Sequence, residues 1–199
     1  MRVVLASASP IRRKILQQAG ITPEVVVSGV DESAFRAESP DELAVSLATA
    51  KAQAVASKSE LSDALVIGCD SLLVLDGQAL GKPRTAEAAS ARWKQMRGRS
   101  GVLVTGHCVI NVAAQRQVSA TARTTVHFAD VSDEEIDAYV ATGEPLQVAG
   151  AFTIEGYGGA FVTAIEGDHS NVLGISLPLL RTMTAELGIA WTDLWASDG

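Results

Sequence analysis

The chain has 199 residues, of which 47% are hydrophobic and 20% charged, a composition typical of one globular domain over 1–199 with a sizeable core. The formal net charge of −7 argues against a broad surface for nucleic acid or anionic membrane, so we expect neither partner. The 2 cysteines and 3 histidines lack metal-ligand spacing, which speaks against a zinc site. Neither a signal peptide nor a membrane-spanning run is recognisable, and a cytoplasmic protein is expected.

The first predicted elements are a strand over residues 2–6 and a helix over 10–19. Ser9 is placed to cap this helix, and Pro10 stands at its first position. Cations crowd the first turn, where the positive end of the helix dipole disfavours them: Arg12, Arg13 and Lys14. An anion bound there, with help from the hydroxyls of Ser7 and Ser9, would explain these cations. A solvated basic turn is the alternative.

Short β-like runs then alternate with helical patterns, which favours an α/β layer fold. The first half continues with a strand at 25–27, a helix from the Ser39 capping box to about Ser57, strands at 65–69 and 72–75, and a hairpin turn at Asp76-Gly77. The second half has a helix from Thr85 to about Arg97, strands at 102–112 and 117–128, a helix from the Ser132/Glu135 capping box to Gly143, loop and strand over 148–166, and a helix from Ser176 to about Glu186. The two long neighbouring strands favour a mixed sheet over a purely parallel one.

Two charged residues interrupt apolar patterns. Lys51 lies at about 80° from Leu43 on its helix at 100° per residue, flanked by Ala48 and Val55. Burying it would require an anionic partner, although its long stem can also carry the charge to water. Asp70 breaks an apolar run, so its carboxylate needs a cation, a metal or the sheet edge. An aspartate that starts a turn is the alternative.

Two more candidates lie in predicted loops. Lys82 stands between Gly81 and Pro83, a setting that suits a placed cation or an ordinary tight surface loop. Glu32 follows the second strand and is either a ligand or simply solvated. The complete candidate set comprises the cations Arg12, Arg13, Lys51 and Lys82, the hydroxyls Ser7 and Ser9, and the acids Glu32 and Asp70. Such a set is what a polyphosphate with a divalent cation needs, whereas the glycine patterns of P-loop and dinucleotide-binding proteins are missing from the sequence.

Several motifs carry a resemblance to a known family, in family order from the first strand to the last helix. They are Leu5-Ala6-Ser7-Ala8-Ser9-Pro10 with Arg12, Val30-Asp31-Glu32, Ala50-Lys51-Ala52, Gly68-Cys69-Asp70, Gly81-Lys82-Pro83, Gly143-Glu144-Pro145, Ala149-Gly150-Ala151-Phe152 and Ser170-Asn171-Val172-Leu173-Gly174. In these motifs the chain resembles the Maf (septum-formation-inhibitor-like) nucleoside triphosphate pyrophosphatases. The run from Glu144 to Gly150 is similar to actinobacterial members.

The resemblance implies an elongated mixed β-sheet with flanking helices and two lobes around a central cleft, as in inosine-triphosphate pyrophosphatases. It also implies hydrolysis of a nucleoside triphosphate to monophosphate and pyrophosphate with Mg²⁺ or Mn²⁺, commonly by a homodimer. Asp70 would accept the proton of water, and Glu32 would help to hold the metal or the water. The phosphates would be held by Arg12, Lys51 and Lys82, and Ser7 and Ser9 would line the anion loop.

Departures from the family pattern concern the base rather than the phosphates. Ile11 stands where the uridine- and thymidine-triphosphate branch has arginine, and Arg97 and Gly101 replace a common serine and histidine. Gln147 and Glu155 are candidates for contact with a base edge, or ordinary solvated loop residues. A nucleotide-sensing regulator of septation is the alternative function, and a dinucleotide-dependent oxidoreductase ranks far behind it.

Overall fold

The structure is a computed structural model that describes residues 1–196. Its strands form one seven-stranded sheet in the order β2-β1-β3-β5-β6-β7, with β4 paired to β3. Their bounds are β1 Arg2–Leu5, β2 Glu24–Val25, β3 Ala64–Leu75, β4 Gln78–Leu80, β5 Ser100–Asn111, β6 Arg116–Phe128 and β7 Val162–Glu166. The α-helices are α1 Pro10–Gln18, α2 Pro40–Ala56, α3 Ala86–Met96, α4 Asp133–Ala141, α5 His169–Val172 and α6 Leu177–Glu186.

The pairing of strands confirms the predicted mixed sheet with flanking helices. β1 runs parallel to both β2 and β3, with Val4 opposite Val66 in the latter pair. β4 is antiparallel to β3, and β7 is antiparallel to β6. The β3–β4 turn has Asp76 at φ 51° and Gly77 at φ 78°, the left-handed pair that a two-residue hairpin requires.

The predicted helix starts are also confirmed. Ser9 Oγ accepts the backbone N–H of Arg12, and Ser39 Oγ accepts that of Glu42. At α4, Ser132 and Glu135 form a reciprocal capping box. These side chains satisfy N–H groups that the first turn of a helix otherwise leaves unpaired, so the start of each helix is determined locally.

Contacts within the chain define two compact units. Unit 1 comprises residues 1–70, 105–122 and Gly174 onward, and unit 2 comprises residues 71–104 and 123–173. The expectation of a single domain over 1–199 stays a prediction, as does the arrangement of two lobes around a cleft.

In unit 1, helix α2 lies directly on the sheet. A Cβ at Gly68 of β3 would stand 2.3 Å from the carbonyl oxygen of Ala48, and a Cβ at Gly106 of β5 would stand 2.2 Å from that of Ala44. Only glycine permits this approach at both strands. The close contact brings the buried face of α2, which includes Lys51, against the strand that carries Asp70.

In unit 2, aromatic rings form the core. Trp93 of α3 meets the rings of Phe128, Tyr139 and Phe161 edge to face, with centroids 5.5–5.7 Å apart. The indole N–H of Trp93 donates to the carbonyl of Ala151 at 2.8 Å. This contact fixes the 149–151 turn against α3.

Three element predictions need correction. The break at Asp70 and Ser71 is wrong, since β3 runs without interruption from Ala64 to Leu75. The second strand is shorter than predicted, at Glu24–Val25, and α5 was not predicted because four residues carry too little periodicity.

Among residues 1–196, no helix is long and apolar enough to span a membrane.

Candidate functional site

Three predicted residues meet in unit 1 at one side-chain nitrogen. Lys51 Nζ lies 2.6 Å from Oδ1 of Asp70 and 2.6 Å from Oε1 of Glu32. Lys51 and Asp70 are 8% and 7% exposed, whereas the Glu32 side chain is 49% exposed. The anionic partner that the sequence left open for Lys51 is therefore present, and there are two of them.

Local sequence explains how each group reaches this point. Lys51 lies on the buried face of α2, which Gly68 allows against β3, and Asp70 follows Gly68 on the same face of the strand at a spacing of two residues. Glu32 opens a short 3₁₀ turn whose start is capped by Asp31, because the Asp31 carboxylate accepts the N–H of Ser33 at 3.0 Å. Glu32, the more exposed of the two acids that contact Lys51, is thus held by a loop.

Burial is the main influence on the Asp70 carboxyl, and it raises the pKa of that group. The positive charge of Lys51, its hydrogen bond to Oδ1 and the charge of Arg12 act in the opposite direction, while Glu32 raises the Asp70 pKa further. The neighbouring thiol is unsuited to be a nucleophile, since burial raises the pKa of Cys69 to about 11. Asp70 is therefore the group at this site that can accept a proton, with a pKa that its burial and its charged neighbours adjust.

The Arg12 side chain is hydrogen-bonded to other parts of the protein, unlike a cation in a solvated surface turn. Its Nε donates to the carbonyl of Gly174 at 2.7 Å, and its Nη1 donates to the carbonyl of Cys69 at 2.9 Å and to Ser7 Oγ at 3.1 Å. Ser7 Oγ also accepts the N–H of Ser9. The guanidinium thus joins the start of α1, the strand beside Asp70 and the segment before α6.

Arg12, Ser7 and Ser9 therefore lie together, and their role at an anion stays a prediction. Arg13, which follows Arg12 in the first turn of α1, has an exposed side chain. The sequence did not reveal that two carbonyl oxygens, those of Cys69 and Gly174, are partners of Arg12. Backbone acceptors leave no signal in side-chain identity, so only the fold could supply them.

Lys82, Gln147 and Glu155 belong to unit 2. Lys82 is exposed, and the residue before it is held from two sides, because the Gly81 carbonyl accepts both the guanidinium of Arg92 and the N–H of Gly150. Gln147 is exposed at the end of a 3₁₀ turn, and Glu155 is half-buried with its N–H on Thr153 Oγ1. A shared site for these residues and Lys51 stays a prediction.

Glu32 and Asp70 present two carboxylates that could bind a divalent cation. Within residues 1–196, no group of three or more His, Cys, Asp or Glu side chains is arranged to hold a metal ion. One carboxylate oxygen of Glu32 and one of Asp70 nevertheless each lie 2.6 Å from the positive charge of Lys51 Nζ. Mg²⁺ is commonly held by one or two carboxylates, with substrate phosphates and water as its other ligands, so the residues present fit such an ion.

Comparison with known proteins adds an independent finding. Residues 2–187 match the model of the family described as Maf-like protein. The chain is 62% identical over 195 residues to the nucleoside triphosphate pyrophosphatase of Streptomyces coelicolor, a match covering 98% of this chain and 95% of that protein. It is 52% identical to the protein of the same name from Synechocystis, over 96% and 97% of the two chains. The solved structure of the Staphylococcus aureus Ham1 protein aligns over 98% of this chain and 94% of its own with 14% identity and a TM-score of 0.45, a likeness too weak to add to the family match.

Proposed function

The chain belongs to the family of Maf-like proteins, and we propose that it is a nucleoside triphosphate pyrophosphatase, which cleaves its substrate into nucleoside monophosphate and pyrophosphate. The curated relatives that bear this name match almost the whole chain. The observation that carries the proposal is the buried contact of Lys51 with Asp70, joined by Glu32 at the same ammonium group.

Asp70 is the proposed general base. Burying a carboxylate in a strand costs folding free energy unless a partner compensates its charge. Here the partner of Asp70 is Lys51, which also contacts the carboxylate of Glu32. Burial raises the Asp70 pKa, which makes the carboxylate a stronger proton acceptor, while Lys51 keeps it ionised. Asp70 takes one proton from the water that attacks the α-phosphorus, and the bond to the leaving pyrophosphate breaks.

The cations of the site orient the triphosphate and neutralise its charge. Lys51 and the exposed Arg13 belong to unit 1, and Lys82 of unit 2 is proposed to act on the same substrate. Arg12, Ser7 and Ser9 shape the anion loop at the start of α1. Fixed cations of this kind act by electrostatic stabilisation of the developing charge.

Glu32 and Asp70 are the residues that would hold Mg²⁺ or Mn²⁺. When bound, such an ion supplies Lewis-acid neutralisation of the phosphate oxygens. The proposed residues for the base edge are Gln147 and Glu155, and the proposed substrates are non-standard or pyrimidine nucleoside triphosphates. A homodimer, which the family resemblance implies, and a cytoplasmic location, which the sequence pattern predicts, complete the proposal.

The test is release of pyrophosphate from a panel of triphosphates, including methylated and pyrimidine forms, in the presence of Mg²⁺ or Mn²⁺. We expect release of pyrophosphate with at least one member of the panel and none after chelation of the metal. Binding of a triphosphate without turnover would instead favour the regulator of septation. That alternative is not favoured, because the curated relatives that match almost the whole chain are named nucleoside triphosphate pyrophosphatase, and two acids beside a polyphosphate benefit a protein that only binds it solely when a metal is bound.

A further inference from the structure

His107 is a fully buried histidine of β5 with both ring nitrogens engaged. Its Nε2 accepts the backbone N–H of Ser176 at 2.9 Å, and its Nδ1 lies 3.0 Å from the carbonyl oxygen of Thr105. A backbone N–H can only donate, so Nε2 is the acceptor and Nδ1 carries the proton. The ring is therefore neutral, and its tautomer is determined by its two neighbours.

The segment that His107 contacts leads into α6. Ser176 is the N-cap of that helix, and its Oγ accepts the N–H of Leu179 at 3.2 Å. Two residues earlier, Gly174 is buried at φ 98° and offers its carbonyl to Arg12 Nε at 2.7 Å. Since a side chain is strained at this φ, glycine is required here. The 174–176 segment is thus held by β5 through His107 and in turn holds Arg12.

The same guanidinium reaches the strand of the proposed base. Arg12 Nη1 donates to the carbonyl of Cys69 at 2.9 Å, and Cys69 directly precedes Asp70. A continuous series of hydrogen bonds therefore runs from His107 through the 174–176 segment and Arg12 to the backbone beside Asp70. Every residue in it lies within unit 1.

We propose that His107 is a positioning residue for the reaction: it fixes the 174–176 segment on which Arg12 rests, and Arg12 fixes the backbone beside Asp70. This inference rests on the proposed function, in which Asp70 activates water. Placement errors of about 1 Å from residues far from the chemistry can lower a rate by about 10²-fold, so the loss of one such hydrogen bond is measurable in kcat. In this role the Arg12 guanidinium acts on the protein's own backbone, at the carbonyls of Gly174 and Cys69.

The competing explanation is that His107 only fills the core and satisfies one N–H. Three variants separate the two. His107→Phe keeps a ring but removes the acceptor, His107→Gln keeps an acceptor for the Ser176 N–H, and Thr184→Val is the matched control. Thr184 is also fully buried in unit 1, on α6, and its hydroxyl donates to the carbonyl of Arg181 at 3.0 Å.

Pyrophosphate release is measured on full-length protein at a temperature where circular dichroism shows each variant fully folded. We expect His107→Phe to lower kcat by about tenfold or more with KM within about threefold, and His107→Gln to recover most of that loss. Thr184→Val is expected to lower the melting temperature and leave kcat unchanged.

A His107→Phe variant with wild-type kcat would overturn the inference, and so would a Gln variant no better than Phe or a Thr184→Val variant with the same loss of kcat. A wild-type chain that releases no pyrophosphate would instead contradict the proposed function itself. The two failures are therefore distinguishable.

Discussion

Lys51 Nζ and Asp70 Oδ1 are 2.6 Å apart, and the side chains that carry them are each 10% exposed. These two buried charges are unequally dependent on each other, since Asp70 without Lys51 would lose its ion-pair partner, whereas Lys51 without Asp70 would keep Glu32 at 2.6 Å. α2 and β3 therefore do more than pack against each other. Their contact holds an ionised carboxylate in the middle of an apolar strand.

Removal of the lysine is expected to destabilise the protein strongly. Lys51→Met should lower the free energy of unfolding at neutral pH by about 3–5 kcal/mol, because Asp70 loses its charged partner. The difference in the free energy of unfolding between the variant and the wild type should shrink as the pH falls. In the variant the folded-state pKa of Asp70 rises, and a proton taken up by Asp70 stabilises the folded form. Urea unfolding at several pH values measures this.

The matching control for that experiment is a double variant. Lys51→Met combined with Asp70→Asn removes both charges and should be more stable at neutral pH than Lys51→Met alone. If the two variants unfold at the same urea concentration, the buried charge of Asp70 is not the source of the loss.

Glu32 is expected to shift the pH profile of the reaction. kcat/KM should increase with pH as Asp70 loses its proton, at a midpoint above the ordinary aspartate pKa of 3.8 because burial raises the Asp70 pKa. The charge of Glu32 raises that pKa further, so Glu32→Gln should move the midpoint to lower pH. A midpoint that moves upward would show that Glu32 does not act on Asp70 through its charge.

Gly68 controls the distance between α2 and β3. Gly68→Ala would place a Cβ 2.3 Å from the Ala48 carbonyl oxygen and 2.9 Å from the Ala52 nitrogen, both backbone atoms on either side of Lys51. The helix must move, at an expected cost of about 1–3 kcal/mol. Because Lys51 moves with it, kcat should fall by about 10²-fold as well.

The control is Val55→Ala, which shortens a buried side chain on the same helix without pushing the helix away from the strand. Its loss of stability should be similar, with kcat close to that of the wild type. Equal kcat in both variants would mean that the spacing between α2 and β3 does not matter to the reaction. Thermal unfolding and pyrophosphate release are the two readouts.

Lys82 provides a test of whether unit 2 contributes to catalysis. Lys82→Ala should lower kcat/KM by at least about tenfold, since it removes one charge from the proposed phosphate cradle. Lys58→Ala, another exposed lysine of the chain, is the control and should leave kcat/KM unchanged. Identical kinetics of the two variants would place Lys82 outside the site.

Much of the fold was predictable from local chemistry. Helix starts at Ser9, Ser39 and Ser132 follow from caps and prolines within a few residues, and the turn at Asp76-Gly77 follows from its need for positive φ. Such features depend on neighbours in sequence, which the sequence displays directly.

Features that depend on distant neighbours were harder to predict. A strand break was expected at Asp70 because a carboxylate there lacks a local partner, but Lys51 supplies one from another element. Lys51 itself could equally have reached water, and only the approach allowed by Gly68 decides against it. His107 carried no pattern at all, because its partners are a backbone N–H and a backbone carbonyl.

The candidate site was predicted in composition rather than in geometry. Arg12, Ser7 and Ser9 were expected to face an anion, which stays a prediction, and the structure adds that the Arg12 guanidinium donates to two backbone carbonyls. Residue types indicate which chemistry is available. Which atoms meet is decided by the packing of α1, β3 and the segment before α6.

In the proposed mechanism, Asp70 directs water to the α-phosphorus of a nucleoside triphosphate. The most direct test is hydrolysis in ¹⁸O-labelled water with Mg²⁺, followed by mass spectrometry of both products, for the wild type and Asp70→Asn. We predict one ¹⁸O atom in the monophosphate, none in the pyrophosphate, and turnover about 10²–10⁴-fold lower in Asp70→Asn with nucleotide binding retained. Label in the pyrophosphate, or near-normal turnover by Asp70→Asn, would contradict this mechanism.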